Sequence, residues 1–238
     1  MMFSDYLMKA AKEYKIPISA EQIEEYNIYY HLLVEWNEKM NLTAITEPNA
    51  VAIKHMIDSI SCWDKAIFKT GVKLIDVGTG AGFPGLPLKI WQKDLNVTLL
   101  DSLNKRVKFL ATVVENLHLK NIEVIHSRAE EGARQKRYRE CYDIAVSRAV
   151  ARLSVLSEYC LPFVKVGGYF VALKGAQYLE EIEEAKCAIQ TLGGEIEKVI
   201  PIKLPELEDR RAVVYIKKIK TTPKVYPRKA GTPEKNPL

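Results

Sequence analysis

The sequence predicts an α/β fold: a mainly parallel sheet with an antiparallel edge, preceded by a helical extension. Three observations carry this. From Lys73 onward, short apolar and β-branched runs alternate with helix-patterned segments, the order that builds a parallel sheet covered on both faces. The first run ends in a loop with glycine at alternate positions, Gly78, Gly80 and Gly82, followed by Pro84 as a helix opener. Residues 1–66 carry helical spacing throughout and no strand pattern.

In chain order, Ser19 and Gln22 read as a capping box. Ile23, Tyr26, Tyr30, Leu33 and Trp36 follow at helical spacing, with an end expected near Met40-Asn41. Pro48 and Asn49 open a second helix through Val51, Ile53, His55, Met56 and Ile60. Residues 1–66 are therefore expected to form a helical cap lobe or extension, not a second catalytic domain. Strands are predicted at 73–77, 97–101, 122–126, 142–147 and 169–173, with helices between them, for example at 104–117 and 153–161. Gly193-Gly194 turns the chain into a last pair, 195–203 and 211–219, read as antiparallel strands at the sheet edge. This makes 67–220 the main domain. The tail, 221–238, holds Pro223, Pro227, Gly231, Pro233 and Pro237 and is expected to be irregular.

A chain of 238 residues suffices for one such domain with a small appendage. No apolar run reaches the roughly 18 residues that span a bilayer, and Met1-Met2-Phe3-Ser4-Asp5 lacks the start of a signal peptide. Cys62, Cys141, Cys160 and Cys187 form no C-x-x-C pair, and the four histidines show no ligand spacing. A reduced cytoplasm, no metal and a monomer are the expectations. Charge is uneven: residues 1–66 hold ten Asp/Glu against six Lys/Arg, whereas 203–238 hold ten Lys/Arg against four Asp/Glu. A second basic group is Arg128, Arg134, Lys136, Arg137 and Arg139. Such patches suit either a polyanion or plain solvation.

The glycine loop proposes a nucleotide-like cofactor at the mouth of the sheet, because only glycine lets backbone approach a ligand at several adjacent points. Gly80 to Gly85 fits G-x-G-x-x-G, the dinucleotide fingerprint. Asp76, just before the loop, argues against a pyrophosphate, which it would repel, and Pro84 removes an N–H donor such a group needs. S-adenosylmethionine, with an ammonium and a sulfonium, suits that acid.

In a doubly wound sheet the ligand lies at the carboxyl ends of the strands. After the second strand comes Asp101, able to accept from both ribose hydroxyls of an adenosine. After the third come Arg128, Ala129 and Glu130, a small residue and an acid that would bracket an adenine. Ser127 with Glu130 also fits a capping box. Ser147-Arg148-Ala149 follows the fourth strand, and Arg148 suits either a carboxylate or phosphate of a ligand or a structural ion pair. The Asn/Asp-Pro-Pro-aromatic sequence of amine methylation is absent there, and Cys160 lies at the wrong place for attack on cytosine carbon-5. An acceptor with a free lone pair is favoured. His55 and Asp58, three apart, share a helix face and fit substrate contact or a local pair. Arg210 with Arg211, and Arg228 with Lys229, are expected to hold an RNA backbone. The residues alone leave open a nicotinamide-dependent oxidoreductase, a small-molecule methyltransferase and a non-catalytic RNA-binding factor.

Several segments together resemble the glucose-inhibited division protein B family: Asn41-Leu42-Thr43, His55 with Asp58-Ser59, Asp76 through Gly85, Asp101 with Lys105-Arg106, Arg128-Ala129-Glu130, Ser147-Arg148-Ala149, Lys174-Gly175, and Arg228 through Pro233. The resemblance implies a Rossmann-like S-adenosylmethionine-dependent methyltransferase fold and a cytoplasmic enzyme of ribosome assembly. It implies transfer to guanine N-7 in 16S (small-subunit) ribosomal RNA. It places cofactor contacts on Gly78, Phe83, Ala129, Glu130 and Arg148, to which the residue-level reading adds Gly80 and Asp101.

Overall fold

The computed structural model of the chain describes residues 1–148 and 150–238. Ala149, read above with Ser147 and Arg148, lies outside the described residues. Seven strands, β1 (Lys73–Val77), β2 (Asn96–Asp101), β3 (Ile122–His126), β4 (Tyr142–Arg148), β5 (Val164–Lys174), β6 (Gly194–Ile202) and β7 (Arg211–Lys218), form one sheet. Its order is β3-β2-β1-β4-β5-β7-β6. The first five strands of that order pair in parallel, and β7 pairs antiparallel with both β5 and β6. β5 begins earlier than predicted, because Val164 already pairs with Tyr142, ahead of a register shift that leaves 165–168, with Gly167-Gly168, outside the ladder to β4.

The helices are α1 (Phe3–Glu13), α2 (Ala20–Met40), α3 (Pro48–Val51), α4 (Asp58–Ile60), α5 (Gly85–Trp91), α6 (Asn104–Asn116), α7 (Ala129–Gly132), α8 (Leu153–Cys160), α9 (Tyr178–Thr191) and α10 (Thr232–Lys235). α2 starts on the predicted capping box: Ser19 Oγ accepts from Gln22 N–H, and the Gln22 side chain accepts from Ser19 N–H. It ends at Asn41 in the left-handed region, φ 49°. Between α3 and α4, Ala52–Ile57 is a π-helical segment. That wide turn, a form frequent at functional sites, carries Lys54 and His55.

Residues of the expected cap or extension pack directly against the sheet and its helices. Phe3, Leu7, Tyr26, Tyr29, Val51 and Met56 share one buried cluster with Leu74, Leu86, Leu99 and Phe109. The extension is thus a helical layer on one face of the sheet. α8 and α9 cover the other through Leu156, Ala185 and Ile189 against Ile75, Ala145 and Phe170. The tail is less irregular than expected, since its backbone carbonyls are tied to the domain and it ends in α10.

Candidate active site

The loop between β1 and α5 is built from two sides. Below it, Asp76 is fully buried. One of its oxygens, Oδ2, accepts from Thr79 Oγ1 at 2.6 Å and from Gly85 N–H at 2.8 Å. The other, Oδ1, has no partner. Burial pushes the carboxyl up to about 7, although the two donated bonds and Arg148 pull the other way. This corrects the reading of Asp76 as an acid facing a ligand: it braces the loop from beneath and acts on the cleft only through its field. From the side, Tyr29 on α2 donates to Ala81 O at 2.5 Å.

The loop glycines have different tasks. A Cβ on Gly82 (φ 103°) would lie 2.6 Å from the Tyr29 hydroxyl, and one on Gly85 would meet Leu99 at 2.6 Å. These two permit close packing of loop, helix and sheet. Gly80 has φ 62° and nothing within 4 Å of the Cβ position. It is the open point of the loop, where bare backbone has no side-chain neighbour on that side.

A cleft of about 360 Å³ runs along the loop, lined by Gly78, Gly80, Phe83, Asp101 and Arg148. Gly78 and Val150 also line a second hollow, of about 210 Å³, which reaches Ala129 and Glu130 beyond β3. The seven residues expected to contact the cofactor line these two adjoining hollows, which share Gly78, Ser102 and Val150. Asp101 is buried. Its Oδ2 accepts from Gly80 N–H and its Oδ1 from Leu103 N–H, both at 2.9 Å, so it also fixes the cradle. Glu130 does not complete a capping box with Ser127. The Ser127 hydroxyl donates to Arg128 O, and Glu130 Oε1 accepts from Gly231 N–H at 2.9 Å.

Arg148, at the end of β4, joins the sheet to the π-helical turn. It donates to Lys54 O and to Asp58 Oδ2, both at 2.8 Å, and to His55 Nδ1 at 3.2 Å. Its guanidinium lies 4.9 Å from the Phe83 ring centroid, and the His55 ring packs on the same Phe83. Facing the permanently charged Arg148, Nδ1 accepts in the neutral Nε2–H tautomer, whereas Lys54 O, 3.1 Å from the same nitrogen, favours the Nδ1–H form; Nε2 meets Thr43 Oγ1 at 3.0 Å. Burial, then Arg148, hold His55 down to about 3, so it is neutral at physiological pH. On the far side of Arg148 and His55 lies a third cavity, of about 260 Å³, reaching Lys54, Lys174 and Arg211. Arg211 also reaches Asp58 Oδ1, at 3.4 Å. The π turn, Thr43 and Lys174 were missed as site geometry, because nothing local in the sequence shows that β4 and the extension meet.

The basic residues separate. Arg210 and Lys229 are exposed. Arg228, half-buried, pairs with buried Glu158, its terminal nitrogen 2.6 Å from Oε2, so its charge already has a partner within the chain. Arg134 and Arg139 donate to tail carbonyls, so they are not free patch charges. Among the described residues, no group of three His, Cys, Asp or Glu is placed to hold a metal, and no helix is long and apolar enough to cross a membrane.

Known proteins resemble this chain along its whole length. A ribosomal RNA small subunit methyltransferase G of Clostridium botulinum (strain Alaska E43 / Type E3) is 55% identical over 238 residues, covering all of both chains. A protein of the same name from Desulforamulus reducens is 51% identical over 232 residues, 98% of this chain and 97% of its own. Among solved structures, the sheet and its helices resemble a putative transferase of Pyrococcus horikoshii (TM-score 0.54, 14% identity, 69% of this chain and 63% of that one). They also resemble M. jannaschii TYW2 in complex with AdoMet (TM-score 0.53, 16% identity, 69% and 76%). At such identities these two show the fold alone. The GidB family model, described as rRNA small subunit methyltransferase G, matches residues 22–212, and with the full-length relatives it establishes that this chain belongs to that family.

Proposed function

We propose that the protein transfers a methyl group from S-adenosylmethionine to N-7 of a specific guanine in 16S ribosomal RNA, with positioning as the main source of catalysis. The observation that carries this reading is Arg148, which with His55 lines both the cradle cleft and the cavity toward Arg211. A donor on one side and an acceptor base on the other would meet at the Phe83–Arg148 pair.

The residues fit the donor. Open backbone at Gly80 admits it, the field of Asp76 favours a cation, and Ala129 and Glu130 stand at the adenine end. When bound, S-adenosylmethionine supplies an electrophilic methyl on a sulfonium. Guanine N-7 carries an unshared in-plane pair and needs no deprotonation, so no general base is required. Arg148, fixed by Asp58, Lys54 O and His55, holds the junction in one geometry. In A-form RNA, N-7 faces a deep groove closed to side chains, so the target sits in a loop or bulge, or is flipped out. The substrate is the RNA or the small-subunit particle, met by a monomer in the cytoplasm.

Gly80→Ala is expected to cost about 1 kcal/mol of stability from its left-handed backbone. It should weaken binding of S-adenosylhomocysteine by a larger factor, because the methyl fills the cradle; calorimetry beside urea melts compares the two. Arg210→Ala and Lys229→Ala should each lower the slope of log affinity for RNA against log salt by about one. Arg228→Ala should leave that slope unchanged. The function itself is tested with methyl-labelled donor and small-subunit RNA, naked and in particles, followed by scission specific to N-7-methylguanine. Label with scission at one site supports the reading. Label without scission overturns the N-7 assignment, and no label overturns transfer.

A further inference from the structure

The chain after β7 is strapped across the domain. Arg139 donates to the carbonyls of Thr222 and Tyr226, and Arg134 to those of Val225 and Pro227. Glu158 on α8 is 1% exposed. It accepts from Arg228 N–H at 2.6 Å and from the Arg228 guanidinium, Nε at 3.0 Å and the terminal nitrogen at 2.6 Å. These bonds satisfy both oxygens of a carboxylate that would otherwise be a buried, unpaired charge. Three residues on, Gly231 turns the chain at φ 80° and donates its N–H to Glu130. The result is a wall. Gly231 and Glu234 face Gly78, Leu100 and Ala129 across the hollow beyond β3. Tyr159, on the same wall, is pushed up to about 12 by burial and then by Glu130 and Glu234, which marks the carboxylates as its near neighbours.

We propose that the segment from Arg228 to Glu234 is part of the donor site, with Arg228 a positioning residue that seats Gly231 and Glu234, and Glu234 accepting from the exocyclic amine of a 6-aminopurine. The proposal rests on the S-adenosylmethionine reading. Ionised carboxylates only accept hydrogen bonds. An adenine edge offers amine donors to such a wall, whereas a 6-oxopurine would set a carbonyl oxygen against it at a cost. The ion pair at Glu158 acts at one remove, by fixing where the wall stands.

The test uses the full chain and calorimetric titration with S-adenosylhomocysteine and its 6-oxo counterpart, S-inosylhomocysteine. Glu234→Ala is expected to weaken S-adenosylhomocysteine about tenfold and to narrow the preference over the inosine form. Arg228→Ala should weaken it comparably and Arg228→Lys less, with RNA affinity and salt slope unchanged. In turnover, KM for the donor should rise by a larger factor than kcat falls. If the unsubstituted protein binds S-adenosylhomocysteine and both alanine variants bind it as tightly, the strap proposal is overturned and the donor reading stands. If the unsubstituted protein does not bind it, the donor reading fails and takes the proposal with it. An Arg228→Ala protein that loses RNA affinity and keeps donor affinity also overturns the proposal. Glu234 is exposed, so its variant decides the matter should Arg228→Ala fail to fold.

Discussion

Arg148→Ala is expected to lower methyl transfer about 100-fold or more, since a misplaced reacting pair alone costs that much. It should also destabilise the fold by about 3 kcal/mol. The two effects have separate causes. Asp58 is 5% exposed and keeps only Arg211, at 3.4 Å, once Arg148 is gone. An undercompensated buried carboxylate accounts for the stability loss. The transfer loss arises because Arg148 clamps the π-helical turn against β4 and rests on Phe83. Without it neither the cradle cleft nor the cavity beyond keeps its shared wall. Arg148→Lys should separate the terms: an ammonium restores charge beside Asp58 but not the fork that also holds Lys54 O and His55. Its urea midpoint should recover more than its single-turnover rate. A rate for Arg148→Ala within a few-fold of the parent would contradict this account.

Asp76→Asn should raise stability above pH 7 and flatten a pH dependence of about 4 kcal/mol. Asp76 titrates near 7 when folded and near 3.8 when unfolded. The folded state therefore holds the extra proton between those values. This group's contribution is fully present below about 3.8 and is lost as pH rises through about 7. Asparagine mimics the protonated acid: its oxygen accepts from Thr79 and Gly85, and its amide occupies the side where Oδ1 has no partner. The difference between parent and variant in urea melts should grow from pH 4 to pH 7 and then level off. Function should move oppositely. A cationic donor favours the ionised acid, so the parent should bind S-adenosylhomocysteine and S-adenosylmethionine with differing pH trends, only the sulfonium binding more tightly as pH rises through 7. The asparagine variant should show neither trend. A flat difference curve would remove Asp76 from this role.

The sheet was legible because its signals are local. β1 and β3 have their predicted bounds, and the capping box at Ser19 forms as read. The strand-end rule also places Gly78, Gly80, Phe83, Asp101, Ala129, Glu130 and Arg148 along two adjoining hollows without any knowledge of side-chain direction. What was not legible depends on partners far apart in sequence. Glu158 and Arg228 are 70 residues apart, and each alone reads as surface charge. Arg134 and Arg139 look like a polyanion patch until the tail carbonyls lie against them. Asp76 has the residue type expected beside a cation, yet the strand's alternation turns its side chain under the loop. The π turn at Lys54 and His55 has no propensity signature, since it exists where β4 holds the helix by one arginine.

The most direct measurement is the crystal structure of the full chain bound to S-adenosylhomocysteine. The account predicts the homocysteine along Gly80 and Phe83 beside Arg148, the ribose at Asp101, and the adenine between Ala129 and the Gly231–Glu234 wall, with the cavity at Arg211 left for the acceptor. Ligand occupying the Arg211 cavity instead, or adenine lying outside that wall, would contradict it.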